Sequence, residues 1–599
     1  MRLNRWIGCL VFIVLIGAGL AFGAPAEGTM AFTVSMERPE THYYHVVFRC
    51  DGLGGEAQDF KLPVWTPGYY SVLDFARNVV NFEARDGSGR ALAWEKTAKN
   101  SWRVKTGGAP SLVISYDVYA FTLFVANSYL DGDKGFLSPT SVLMHVGGKL
   151  RHPATVTIQP PSGWDRITTG LDPVAGRPNT YAAPDFDVLY DSPFLLGRQE
   201  ILSFEAGGIP HVFAADGFGA LDKAKFTADL KRIVEASAAI IGDIPYKHYA
   251  FLAIGPGQGG IEHQNSQAVS FQPGGLETPR GYESWLAFVA HEYFHCYNVK
   301  AIRPLALGPF DYDKENYTNM LWVSEGGTVY YEYRVLNQAG LMGREDVLAR
   351  LPGILAAYEN SPGRRFQSAT ASSWDAWNGY FGGRGGDAAN TTISYYDKGA
   401  GLMLLLDLAI RHESKNQKSL DDVMRTLYRT YYRDKKRGFT DDEFRTACES
   451  AAGASLAEIF EYASTVKDID YPKYLAYAGL SIDVRPKALP GGYFGASARD
   501  QAGSLVISNV ERDSPAWLAG LSPQDEIIGL DGVRAGTRMM AEFFAKKRAG
   551  DKVTVQISRG GKIREVEVTL GTKTERSFAI KPLPNPDSLQ AAILDGLWK

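Results

Sequence analysis

Cysteine is scarce in this 599-residue chain: Cys9, Cys50, Cys296 and Cys448 are widely spaced and form no C-x-x-C pair. That spacing demands no disulfide, although an oxidising compartment would permit one. Charge of one sign is also lacking. Lys and Arg number 63 against 67 Asp and Glu, the net charge is −4, and no basic block stands out. Nothing electrostatic argues for nucleic acid. After the first two dozen residues no run of 18 uncharged apolar residues occurs, so the remainder is not expected to span a membrane. Internal repeats are absent, which sets solenoids aside. With 45% hydrophobic, 12% aromatic and 22% charged residues the chain is globular. It is too long for one core, and three or four domains are expected.

The N-terminus reads as a charged MRLNRW, then the apolar IGCLVFIVLIGAGLAFG, then small residues at Ala24-Pro25-Ala26. That is the pattern of a signal peptide over residues 1–26, with an uncleaved anchor as the alternative. The chain is therefore expected to be exported, periplasmic or secreted. Cleavage would remove Cys9, Arg2 and Arg5, taking the formal charge from −4 to −6.

Residues 27–205 show short alternating runs such as HYYHVVFRC, SLVISYDVYAF and ATVTIQPP, split by turn residues. They predict an all-β, antiparallel N-terminal domain. From Phe226 the period becomes helical in FTADLKRIVEASAAIIGDI; the strand HYAFLAIG and the segment GGIEHQNSQAVSF follow. Later runs such as REDVLARLPGILAAYEN and GAGLMLLLDLAIRHES give residues 206–480 a mostly helical second half. The Gly-rich stretch 377–392 reads as a loop beside a cleft. Residues 481–575 alternate strands with a short helix and a hairpin at Gly560-Gly561; a Pro-broken, then helical, tail occupies 576–599.

The segment SWLAFVAHEYFHCYNVK holds His291-Glu292-Tyr293-Phe294-His295, an H-E-x-x-H on a helical run. Positions i and i+4 share one helix face, so both imidazoles can reach one metal ion, with Glu292 beside them to move protons. A catalytic zinc site takes three protein ligands. Glu325, in LWVSEGGTVYYEY, is the favoured third; Glu332 reads as a packing or outer-sphere residue, and a surface Glu before a Gly-Gly turn is the structural alternative for Glu325. Cys296 would point about 100° from His295 around the helix and reads as a buried thiol.

Taken in order, VWTPGYY, GGIEH, HEYFHCYNVKAIRP, LWVSEGGTVYY and SYYDKGAGLMLLLD resemble the glycyl aminopeptidase family of gluzincin zinc metallopeptidases. Tyr297 stands where that family more often has Trp. YFGA and SPAWLAGLSPQDEIIGLDG resemble a PDZ domain. The resemblance implies a thermolysin-like α+β catalytic domain with a helical lobe between the β domain and the PDZ domain. It implies one Zn²⁺ per chain on His291, His295 and Glu325, with Glu292 as general base. Tyr396 would donate to the oxyanion, with Tyr395 as the alternative. Glu262 would bind a substrate's free α-ammonium, flanked by Gly259 and Gly260, while His263 is a packing residue. Tyr493, Phe494, Gly495 and Ala496 would form a loop for peptide C-terminal carboxylates. The expected activity is hydrolysis of N-terminal residues, small ones such as Gly or Ala, from peptides. The rivals are a thermolysin-like endopeptidase and a non-catalytic exported peptide-binding protein.

Overall fold

The computed structural model describes residues 29–257, 259–379 and 387–598. The expected signal peptide and part of the Gly-rich loop lie outside them. Among the described residues, no helix is long and apolar enough to cross a membrane. Cys50, Cys296 and Cys448 are buried and free.

The N-terminal domain is all β with short helical turns. Its principal sheet has seven strands, with Met30–Ser35 and Tyr43–Asp51 near the centre, paired antiparallel. Alternation is visible in the burial: every second residue of Tyr43–Asp51 is buried, because a pleated strand sends successive side chains to opposite faces. Phe32 and Phe48 stack at 4.0 Å in the resulting core.

The peptidase body opens with a five-stranded sheet in the order Glu200–Ala206, Ile209–Ala215, Tyr249–Ala253, Ser266–Val269, Gly260–Glu262. The expected boundary at residue 205 is therefore corrected. Strand Glu200–Ala206 forms a hairpin with Ile209–Ala215 and belongs to this sheet. A short alternating run does not reveal which sheet it joins. Strand Gly260–Glu262 lies at the sheet edge and, among the described residues, pairs on one side only, with Ser266–Val269.

Two helices then cross at very short range. Gly326 and Gly327 are not a turn but lie inside the helix Leu321–Gln338. A Cβ added at Gly326 would sit 2.5 Å from Gly399 Cα in the helix Tyr395–Glu413. Only glycines let two backbones approach so closely, and the crossing sets Glu325 beside Tyr395 and Tyr396.

The PDZ-like unit is a lateral insertion. The chain leaves the peptidase body along Leu480–Ala488 and returns along Thr574–Pro582, the two strands paired antiparallel end to end. Between them stand the strands Ala496–Gln501, Ser504–Val510, Glu526–Leu530, Lys552–Arg559 and Lys562–Thr569, with the helix Thr537–Ala545. The described part of the expected tail 576–599, residues 576–598, rejoins the peptidase core. Ile593, Leu594 and Leu597 of the helix Ser588–Leu597 are buried there, and Arg334 Nη1 donates to the Leu597 carbonyl at 2.7 Å.

Candidate active site

The helix Pro279–Phe294 starts cleanly because Thr278 caps it, its side chain accepting from the Gly281 amide, and proline fills the first position. Trp285, Leu286, Val289, Ala290, Tyr293 and Phe294 bury one face. The opposite face carries His291, with His295 at the C-cap. Their Nε2 atoms lie 3.1 Å apart, and Glu325 Oε2 stands 3.2 Å from His295 Nε2 and 3.7 Å from His291 Nε2. Tetrahedral zinc with bonds near 2.0–2.1 Å separates neighbouring ligand atoms by about 3.3 Å. The three distances bracket that value.

Protonation makes the same point. His295 Nδ1 lies 2.7 Å from the Asn298 carbonyl and His291 Nδ1 lies 2.9 Å from Glu332 Oε2. Both partners accept, so both Nδ1 atoms carry the hydrogen and both Nε2 lone pairs aim at one point. Two imidazole lone pairs and a carboxylate oxygen repel one another unless a cation sits between them. The donor set fits zinc. Glu332 is thereby an orienting partner of His291, and Tyr70 from the N-terminal domain stands near Glu325, whose charge adds to burial in raising the Tyr70 hydroxyl. Burial pushes the Glu325 carboxyl up, but His295 and His291 outweigh it and hold it down at about 2.

Glu292 is 7% exposed and burial lifts its carboxyl to about 7 against the pull of both histidines. Its carboxylate abuts the edge strand: a Cβ on Gly260 would lie 2.3 Å from Glu292 Oε1. Oxygens of Glu262 and Glu292 and a nitrogen of His295 fall within 4.8 Å of one another. Together with Gly259, Gly260, Phe124, Glu325 and Tyr396 they line a cleft of about 470 Å³. Of the two tyrosines, Tyr395 is fully buried; Tyr396 lines the cleft, with its ring 6.3 Å from that of His291.

His263 turns away from the cleft, its Nδ1 at 3.0 Å from Asp191 Oδ1, in keeping with a packing residue. In the PDZ unit Tyr493 does not fit the expected carboxylate loop. The amide and carbonyl of Tyr493 are both spent on Gly571, so Tyr493 offers no free amide. Gly495, at φ +83, accepts from the Glu511 amide at 2.8 Å, and Phe494 stacks on Phe544. Ala496 begins the edge strand of that sheet. Sequence reasoning passed over Tyr70, Phe124, Asp191 and Lys300. The only signal was that VWTPGYY and NVKAIRP stood among the quoted motifs with no role given to their residues.

The chain matches the family profile of the Peptidase M61 N-terminal domain over residues 31–198, that of M61 glycyl aminopeptidase over 284–402, and that of a PDZ domain over 492–570. The crystal structure of an aminopeptidase N family protein from Idiomarina loihiensis superposes with a TM-score of 0.84 at 28% identity, covering 94% of this chain and 100% of that one. Curated relatives include the serine protease Do-like HtrB of Bacillus subtilis, 35% identical over 14% of this chain and 19% of its own. HtrA of the same organism is 29% identical over 17% and 24%. The chain thus spans less than a quarter of the length of the curated relatives it matches. Residues 31–198 and 284–402 thus carry the N-terminal and peptidase domains of the M61 zinc metallopeptidases, and a PDZ domain is inserted before the end of the chain.

Proposed function

We propose that this protein is a zinc-dependent aminopeptidase that removes N-terminal residues, small ones such as Gly or Ala favoured, from peptides. One zinc ion per chain, held by His291, His295 and Glu325, would supply Lewis acidity and a lowered water pKa. Glu292 takes the proton of the attacking water and passes it to the leaving amine. Tyr396, whose hydroxyl belongs to the residue that lines the cleft, donates to the oxyanion of the tetrahedral intermediate. The unpaired side of strand Gly260–Glu262 lies along the cleft and can add the substrate backbone as a further strand. The glycyl description of the matching family supports the small-residue preference. The PDZ unit would take peptide C-termini at the amides of Phe494 and Gly495, beside the edge strand Ala496–Gln501.

The observation that carries the exopeptidase reading is Glu262. It is 3% exposed, its Oε1 is sealed from solvent and accepts no hydrogen bond, and the residue lines the cleft. That oxygen has only the Lys300 ammonium at 3.6 Å, beyond hydrogen-bond reach, so the carboxylate keeps acceptor capacity that a free α-ammonium in the cleft would use. Glu262→Gln should cost about 2–5 kcal/mol of binding specific to free amines. The measurement is catalytic efficiency on Ala-initiated peptides and on their N-acetylated forms. Wild type should ignore the acetylated peptides and the variant should lose most activity on the free ones. Equal cleavage of both by wild type would establish the endopeptidase instead.

A further inference from the structure

Behind the cleft, buried charges run from Glu262 into the N-terminal domain. The Lys300 ammonium stands 3.6 Å from Glu262 Oε1, an ion pair without a hydrogen bond. The closer partner of Lys300 is Asp191, at 2.9 Å. Asp191 caps the short helix Phe186–Tyr190 of the N-terminal domain and also receives the Gln264 amide at 2.8 Å. On the metal side, the backbone amide of Lys300 donates to the His295 carbonyl at 3.0 Å. Arg303 is the next cation, and its foremost acidic neighbour is Asp187.

Glu262 is gripped from its other side as well. Gly68 of the N-terminal domain has no room for a side chain, since a Cβ there would sit 2.7 Å from Glu262 Oε2. Gly68 and Glu262 also form the partition between the peptidase cleft and a second cavity of about 240 Å³, on whose wall Lys300 lies. Two carboxylates, Asp191 and Glu262, thus face one ammonium that is committed to Asp191. Glu262 is held in place but not satisfied.

We infer that Lys300, anchored by Asp191, is the positioning residue that determines specificity at the free-amine subsite. It fixes Glu262 against Gly68 at the end of the cleft and leaves it charge to offer one incoming ammonium. Gly68 and Glu262 wall the cleft at that end, with Lys300 and Tyr70 behind them on the second cavity, so no peptide chain continues past the residue bound there. The N-terminal β domain is accordingly part of this subsite rather than an appendage, because it supplies Asp191, Gly68 and Tyr70. The inference rests on the aminopeptidase reading and extends it to residues that touch neither metal nor scissile bond.

The test is a binding measurement in the full-length, zinc-loaded Glu292→Gln protein, which cannot turn substrate over. Calorimetry compares tri-alanine with acetyl-tri-alanine. With Lys300 intact the free peptide should bind at least about 30-fold more tightly, the lower end expected for a desolvated charge pair. Lys300→Met should bring the two peptides within about threefold of each other by weakening only the free one, and Lys300→Arg should keep most of the difference. Asp191→Asn, which releases the anchor and leaves Lys300 in place, should also shrink it, and carries the test if Lys300→Met does not fold. A merely structural role would weaken both peptides alike. Full discrimination in a folded, zinc-loaded Lys300→Met or Asp191→Asn protein overturns the inference and leaves the aminopeptidase reading intact. Absence of discrimination in the parent overturns that reading, and the role of Lys300 with it.

Discussion

Replacing Gly260 by alanine adds one methyl group to the edge strand, and the structure says where it goes. It would lie 2.3 Å from Glu292 Oε1, 2.5 Å from Glu292 Cδ and 2.6 Å from Phe288 Cζ. Gly260 has no positive φ, so the obstacle is space and not backbone conformation. Glu292 and Phe288 both belong to the helix Pro279–Phe294, which packs into the core on its other face, so retreat of one does not relieve the other. To reach ordinary van der Waals separation the Glu292 carboxylate must move by about 1 Å, and a displacement of that size at a reacting group costs about 10²-fold in rate. The overpacking itself should cost about 1–3 kcal/mol of stability. The three atoms nearest the methyl belong to Glu292 and Phe288 and to none of His291, His295 and Glu325, so zinc should remain. We expect kcat on an alanyl anilide to fall about 100-fold with zinc still equimolar by elemental analysis and a folded thermal transition. A zinc-loaded Gly260→Ala enzyme within threefold of wild-type kcat would refute the placement of Glu292 as the proton carrier against this strand.

Four further outcomes follow from other parts of the molecule. Glu332→Gln removes the carboxylate 2.9 Å from His291 Nδ1 and should weaken zinc binding by about 10–100-fold, read by competition with a chelator; unchanged affinity would deny Glu332 its orienting role. Truncation from Arg485 onward should give insoluble protein, because it removes the buried helix Ser588–Leu597. Joining Leu489 to Lys573, already hydrogen-bonded at 2.9 Å, through a short glycine turn should instead leave a soluble protein that cleaves aminoacyl amides; a folded excision product with no such activity would show that the PDZ domain completes the site. His145 is buried beside Tyr190, and burial lowers its pKa to about 4. The unfolded chain therefore binds a proton there that the folded chain refuses. Its contribution to stability is constant above pH 6.5 and falls by about 3 kcal/mol as the pH drops to 4. Urea unfolding of His145→Gln should show a shallower loss than wild type over that window, and parallel curves would contradict it.

What the sequence determined by itself is local. A helix fixes i and i+4 on one face, so the pair His291 and His295 with Glu292 between them followed from spacing alone. Alternation in the runs before residue 200 specified pleated strands, because the side-chain period of two and one buried face leave little choice. Glu325 was legible as a carboxylate in an apolar stretch, but its glycines were not. Gly326 and Gly327 look like a turn in sequence, and only the crossing with Gly399 explains why they interrupt nothing. Tertiary structure alone decided the rest, because it rests on contacts between segments far apart in the chain. Tyr70 reaches Glu325, Asp191 holds Lys300, and Gly68 braces Glu262 across the seam between two domains. Residues 576–599 likewise read as a tail until the ribbon Leu480–Ala488 with Thr574–Pro582 carries the chain back and buries its last helix. Local periodicity records how a segment folds; it carries no address for the surface on which the segment lands.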